Sequence, residues 1–235
     1  MKLNKLAVQL LLLLSFLGIS HSTFADIFYD AYQYGSAANK KKYKWNGKKV
    51  YLSPARHSDA GRRGECKSFD GNENTRALRT ALAAGQSLSA RGYQVRIGTG
   101  TLSSAIRYSN AWRANIHIPI HSNARRESCN TTAANRHGAV LIYWSQSGKR
   151  LSNQILNMYR GATPGTHDFV CHNSSSCTSI KRLAELVRTR GVAAYLEREF
   201  HTWDRGARFM NRSSSHSWRL ASGVDKYLGY PRRRR

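Results

Sequence analysis

His57, Glu73, His121 and Glu197 are the side chains whose types and placement could carry chemistry in this chain. Two imidazoles and one carboxylate form a donor set for a catalytic zinc that keeps its fourth position for water, whose pKa then falls from about 16 to about 7. A second carboxylate beside that water can take its proton. On this reading His57, Glu73 and His121 hold the metal, while Glu197 acts as general base and returns the proton to a departing amine. Each residue alone has a plainer explanation; Glu73, for instance, is a favourable anion in a first helical turn. A shared position in the fold is what would join them.

That position follows from the elements. Residues 50–52 read as a strand running into a Ser/Gly/Arg-rich loop that carries His57. Between Asn72 and Ala90, the residues Leu78, Ala81, Leu82, Gly85 and Leu88 recur at helical spacing, with Asp70 or Asn72 placed to cap the start and Gly92 beyond the end. Residues 93–97 predict a strand, 103–114 a helix, and 116–120 a third strand that delivers His121 immediately after it. A fourth strand is expected over 138–144 and a fifth over 192–196, with Glu197 at its end. Helices are expected over 150–159, 180–190 and 214–227, with an Asn/Ser/Gly-rich insertion at 161–177. This alternation predicts a three-layer α/β domain with a mostly parallel central sheet and helices on both faces. Such sheets bind ligands at the carboxyl edge of their strands, and all four candidates fall there. His117 shares a strand face with His121 but lies further from that edge, so it reads as packing. Tyr143, Trp144 and Trp203 are candidates to stack on a sugar ring near the same edge, with core packing the plainer reading of each.

The chain opens with Lys2 and Lys5, then an apolar run from Leu6 to Ile19, then small residues up to Ala25, which is the pattern of a secretory signal cleaved near Ala25. The run is shorter than the about 20 residues that span a bilayer, and no later segment is apolar enough to do so. The expected organisation is a signal peptide at 1–25, a basic arm at 26–47, one catalytic domain at 48–230 and a basic tail at 231–235. The mature protein is expected in the periplasm or at the cell exterior. Four cysteines bound for an oxidising compartment imply two disulfides, and Cys171 and Cys177 close a short loop, which favours Cys66 with Cys129. Their spacing is not that of a zinc ribbon. With 38 Lys+Arg against 13 Asp+Glu, the formal net charge is +25, a field that concentrates polyanions of several kinds.

The candidate residues lie in stretches that resemble a known family, the zinc-dependent N-acetylmuramoyl-L-alanine amidases of the third amidase type. In that family a strand leads into Asp-Pro-Gly-His-Gly-Gly, a Glu opens the next helix, Ser-Ile-His-Ala-Asn ends a later strand and Glu-Leu-Gly-Phe closes a late one. The matching stretches are Ser53-Pro54-Ala55-Arg56-His57-Ser58, Asn72-Glu73-Asn74, Pro119-Ile120-His121-Ser122-Asn123-Ala124 and Glu197-Arg198-Glu199-Phe200. The likeness runs from about Lys49 to Leu228 and includes Leu102, Arg107, Ala111 and Asn115. It implies zinc as cofactor, held by His57, Glu73 and His121, with Glu197 as the catalytic carboxylate. Glu199 shares Glu197's strand face by period, and the family pattern counted back from Phe200 selects Glu197.

The resemblance also implies peptidoglycan as substrate, cut between N-acetylmuramic acid and L-alanine of the stem peptide. Anionic wall polymers are further expected ligands, in preference to nucleic acid. Two other functions fit parts of the pattern. One is a zinc peptidase acting on the stem peptide, since metal and base would look alike. The other is a non-catalytic basic binder of wall polymer or nucleic acid on an amidase scaffold, which the missing glycines of the first stretch would suit.

Overall fold

The computed structural model describes residues 45–56, 58, 64–174, 178 and 180–230. The expected signal segment, most of the basic arm, the basic tail, His57 and Cys177 lie outside the described residues.

Among the described residues seven strands form one sheet: β1 (Lys49–Pro54), β2 (Gln94–Ile97), β3 (Ile116–Asn123), β4 (Val140–Tyr143), β5 (Phe169–His172), β6 (Val192–Ala193) and β7 (Tyr195–Phe200). Their order is β2-β1-β3-β7-β4-β5, with β6 pairing β3 ahead of β7. Alternation along the strands builds two different faces. Val50 and Leu52 of β1, Ile116, Ile118 and Ile120 of β3, and Leu196 of β7 join the main core. Each such side chain contributes about 1.5–3 kcal/mol by leaving water. The intervening Tyr51 packs with Ala105 and Ala114 in a separate cluster on the opposite face.

Helices cover both faces, as expected of a three-layer α/β domain. On the main-core side lie α1 (Glu73–Ala90), α3 (Gln146–Tyr159) and α6 (Ser213–Tyr227). In α1 the buried Ala77, Ala81, Ala84 and Leu88 form one stripe, Asn72 caps the start, and Gly92 beyond the end takes φ 90°, a conformation that glycine adopts without strain. A buried Arg91–Asp225 ion pair of 2.7 Å, with Tyr93 donating to the same carboxylate at 2.7 Å, ties the end of α1 to α6. The other face carries α2 (Leu102–Ala111) and α4 (Ala184–Val187), and α5 (Asp204–Met210) follows β7.

Three expectations need correction. The helix expected over 180–190 is a single turn, because Arg182 sits at φ 57° just ahead of it and no side chain caps its start. The insertion at 161–177 contains β5, an edge strand of four half-buried residues whose weak burial leaves no periodic signal. The fifth strand is interrupted at Ala194, and its second part runs on to Phe200, so Glu197 lies inside β7. The sheet is mostly parallel, as expected, with one antiparallel pairing among the described residues, β4 with β7. The chain between β3 and β4 carries only a 3-10 turn, Ala134–Arg136, and parallel strands are usually linked by a crossover helix.

Cys66 and Cys129 form a disulfide with Cα atoms 5.7 Å apart, as the cysteine spacing favours. The bond fastens the segment before α1 to the loop after β3. Cys171 is also disulfide-bonded.

Candidate active site

The start of α1 and the end of β3 meet at the carboxyl edge of the sheet. Asn72 accepts a hydrogen bond from the Thr75 N–H at 3.0 Å and so fixes Glu73 as the first residue of α1. Glu73 is fully buried there, at a helix N-terminus whose dipole favours a negative charge. Its Oε1 accepts from the Ser122 N–H at 2.9 Å and lies 3.1 Å from His121 Nδ1. His121 is the sixth residue of β3, where the sequence reading put it just past the strand, and its ring stacks on Tyr195 of β7 at 4.5 Å.

Glu197 is paired with His121 in the parallel register of β3 and β7. Partners in such a register sit on adjacent strands about 4.8 Å apart and leave the sheet on the same face. Beyond them a bulge lets three steps of β7 match two of β3, since Asn123 pairs with Phe200. The bulge separates the environments of the two glutamates that strand period alone leaves equivalent. Glu197 is half-buried. Glu199 is fully buried, and its carboxylate accepts from the backbone N–H groups of Gly165 at 3.1 Å and Phe200 at 3.2 Å. A Cβ on Gly165 would lie 2.2 Å from the His137 carbonyl, so glycine is what lets this loop reach Glu199.

Burial raises the Glu199 pKa to about 8 against the pull of those N–H donors. Folding therefore favours its protonated form, and the associated stability is fully present below the ordinary value of 4.5 and is lost as pH rises towards about 8. Glu199→Gln mimics the protonated side chain. Compared with this variant, the parent should lose a few kcal/mol of relative stability between pH 4.5 and pH 8. Thermal unfolding at pH 5 and pH 9 reads the difference, and a parent-to-variant gap independent of pH would refute the assignment.

Behind the site lies Arg198, fully buried on the main-core face. Its Nε donates to the His121 carbonyl at 2.9 Å, and its Nη1 donates to Thr80 Oγ1 at 2.8 Å and to the Arg76 carbonyl at 3.2 Å. Burial lowers its pKa to about 10, while the charges of Glu73, Tyr159 and Glu197 act the other way. The guanidinium thus holds the backbone of His121 from behind and places a positive charge near both carboxylates.

His117 is buried between Ser109 Oγ at 2.9 Å and Glu185 Oε1 at 3.0 Å, and its ring stacks on Tyr51. It is part of the packing on that face. Burial opposes ionisation of Glu185, but hydrogen bonds and charge from His117 hold its pKa below the ordinary value. Glu185 also lines a cavity of about 190 Å³ together with Ser53, Arg56, His121, Leu183 and Tyr195, which opens the site on the α2/α4 side.

Of the aromatic candidates, Trp203 takes the plainer role and the other two lie away from the expected edge. Trp203 is fully buried, stacks on His137 at 4.2 Å and donates to the Thr131 carbonyl at 2.8 Å, so it is core. Because β4 is antiparallel, its carboxyl end lies beside the amino end of β7, which takes Tyr143 and Trp144 to the edge opposite Glu197. Trp144 stacks there on His172. Sequence reasoning passed over Arg198, Glu185 and Tyr195. Arg198 did carry a signal: two residues after Leu196, it puts a charge on the apolar face of a central strand, where burial demands partners.

Among the described residues no three metal-ligating side chains gather, and His57 lies outside them. The Glu73–His121 pair nonetheless suits a shared metal. Its oxygen and nitrogen are 3.1 Å apart. Two ligand atoms about 2.0–2.1 Å from one tetrahedral zinc are about 3.3 Å apart.

Compared with solved structures, the chain superposes on the catalytic domain of CwlV, an N-acetylmuramoyl-L-alanine amidase from Bacillus (Paenibacillus) polymyxa var. colistinus, with a TM-score of 0.64 and 17% identity over 78% of this chain and 99% of that one. The fold is that of the N-acetylmuramoyl-L-alanine amidases. An amidase from Clostridium difficile 630 gives a TM-score of 0.64 at 19% identity, covering 78% of this chain and 98% of that one. AmiC2 of Nostoc punctiforme gives 0.62 at 16% identity, covering 79% and 99%. By sequence, the chain matches no protein-family model and no curated protein.

Proposed function

We propose that the protein is an exported, zinc-dependent amidase that hydrolyses the bond between N-acetylmuramic acid and L-alanine in peptidoglycan. The observation that carries this reading is the convergence of Glu73 and His121 to 3.1 Å, with Glu197 in register beside them, on the carboxyl edge of a sheet with the amidase fold. His57, from the loop after β1, would complete the ligand set with Glu73 and His121. Zinc, when bound, supplies the Lewis acidity that polarises the scissile carbonyl and acidifies a water. Glu197 takes a proton from that water and hands it to the departing alanine nitrogen. Ser122 N–H and the N-terminus of α1 orient and stabilise the Glu73 carboxylate, and Arg198 fixes the His121 backbone.

The proposed organisation is a signal peptide at 1–25, a basic arm at 26–47, the catalytic domain at 48–230 and a basic tail at 231–235. Among the described residues no helix is long and apolar enough to cross a membrane. The site of action proposed is the periplasm or cell wall, where the strongly basic chain, formally +25 in full and +23 without Lys2 and Lys5 of the signal peptide, favours the anionic polymers of the wall.

Mass spectrometry of purified peptidoglycan tests the reading. Stem peptides with free L-alanine amino termini should appear with the untreated protein, vanish after chelation and return when zinc is restored. Cuts elsewhere in the stem would replace the reading with that of a zinc peptidase. No release by folded, zinc-supplied protein would favour a binding role.

A further inference from the structure

A second cavity, of about 330 Å³, opens beside the catalytic edge and is lined by Gly64, Ala124, Arg125, Arg126, Glu127 and Thr202. Its walls are the loops that follow β3 and β7, the strands that carry His121 and Glu197, together with Gly64 of the segment before α1. At about 3.3 Å per residue, Arg125 lies within about 13 Å of His121, a span that an extended peptide covers in about four residues or fewer. An arginine side chain shortens the gap further.

The cavity is firmly held and electropositive. The Arg125 N–H donates to Thr202 Oγ1 at 2.9 Å, and its guanidinium lies over the Phe200 ring, 5.4 Å from the centroid. The loop is closed by the Cys66–Cys129 disulfide and by the Asp204 N–H donating to the Cys129 carbonyl at 2.9 Å. Among the lining residues Glu127 is the acid, and its Oε1 is engaged by buried His137. Neither Arg125 nor Arg126 has an ion-pair partner among the described residues. Two guanidinium groups on a braced loop, with the neighbouring carboxylate turned to a histidine, are suited to planar anions such as carboxylates.

We infer that this cavity is a subsite for carboxylates of an acidic peptide, positioned to engage those in the first few residues beyond the bond that is cut. The identity of the peptide as the peptidoglycan stem rests on the amidase reading; the preference for carboxylates does not. Arg125 and Arg126 bind and select, and take no part in bond cleavage.

The test uses two synthetic probes, a muramoyl tripeptide with free carboxylates and the same tripeptide with every carboxylate converted to carboxamide. Equilibrium binding and hydrolysis are measured for the zinc-supplied parent, for the Arg125→Gln/Arg126→Gln double variant, and for an Arg150→Gln/Arg160→Gln control that removes the same charge from exposed positions on and beside α3. The parent and the control should bind the acid form at least tenfold more tightly than the amide. The Arg125/Arg126 variant should lose that preference while binding the amide form as the parent does. Equal preference in parent and variant, or an equal loss in the control, would overturn the subsite. Binding preference that depends on Arg125 and Arg126 without hydrolysis of either probe would support the subsite while sinking the amidase reading.

Discussion

Glu197→Gln should leave zinc affinity and folding intact and slow hydrolysis about 10²–10⁴-fold, the usual contribution of a positioned general acid–base group. That loss corresponds to about 3–5 kcal/mol of transition-state stabilisation. Gln keeps the size and hydrogen-bonding oxygen of Glu but cannot accept and return a proton. Glu197 is half-buried and in register with His121, and Gln keeps its shape there, so the fold should tolerate the substitution. The fall should therefore appear in kcat, with zinc content by elemental analysis unchanged. Near-parental turnover in a folded, zinc-loaded variant would remove Glu197 from the mechanism. Glu199 is poorly placed to take over, because its carboxylate is occupied by backbone N–H groups in a fully buried position.

How much of this was legible beforehand depended on where one physical signal dominated. The helix α1 carries its cap, its apolar stripe and its terminal glycine in the sequence, and its bounds differ from expectation by a single residue at the start. In β3 the alternation of Ile116, Ile118 and Ile120 fixes which face each neighbour takes, and hence where His117 and His121 go. Local signals fail where the answer is set by non-local pairing. The antiparallel run of β4 is decided by which strand it meets, and four apolar residues read the same in either direction. The two aromatic side chains at its end were misplaced for that reason alone. The bulge in β7 is likewise a property of two strands together, and it is what separates Glu197 from Glu199. Arg198 was available to sequence reasoning but not its partners, since Thr80 and the His121 carbonyl become neighbours only when α1 packs across the sheet.

His121→Ala should abolish both zinc retention and hydrolysis, and His117→Ala should do neither, although the two imidazoles sit on one face of one strand. The contrast follows from their surroundings. At His117 both ring nitrogens are committed, to Ser109 and to Glu185, in a site with no exposure. Deleting it leaves the buried Glu185 carboxyl and the Ser109 hydroxyl without that hydrogen-bond partner, at a cost of about 1–3 kcal/mol in stability. Glu185 lines the cavity beside His121 but is not one of the proposed ligands, so zinc content in the folded fraction should stay at the parental level. At His121 the ring meets Glu73 and Tyr195 beside the cavity, and its loss would take away a proposed metal donor while Glu73 keeps the Ser122 N–H. Elemental analysis of dialysed protein with parallel melting curves separates the two cases. Full zinc in folded His121→Ala, or empty but folded His117→Ala, would reverse the assignment, because a residue that only packs can cost stability but cannot by itself set metal content.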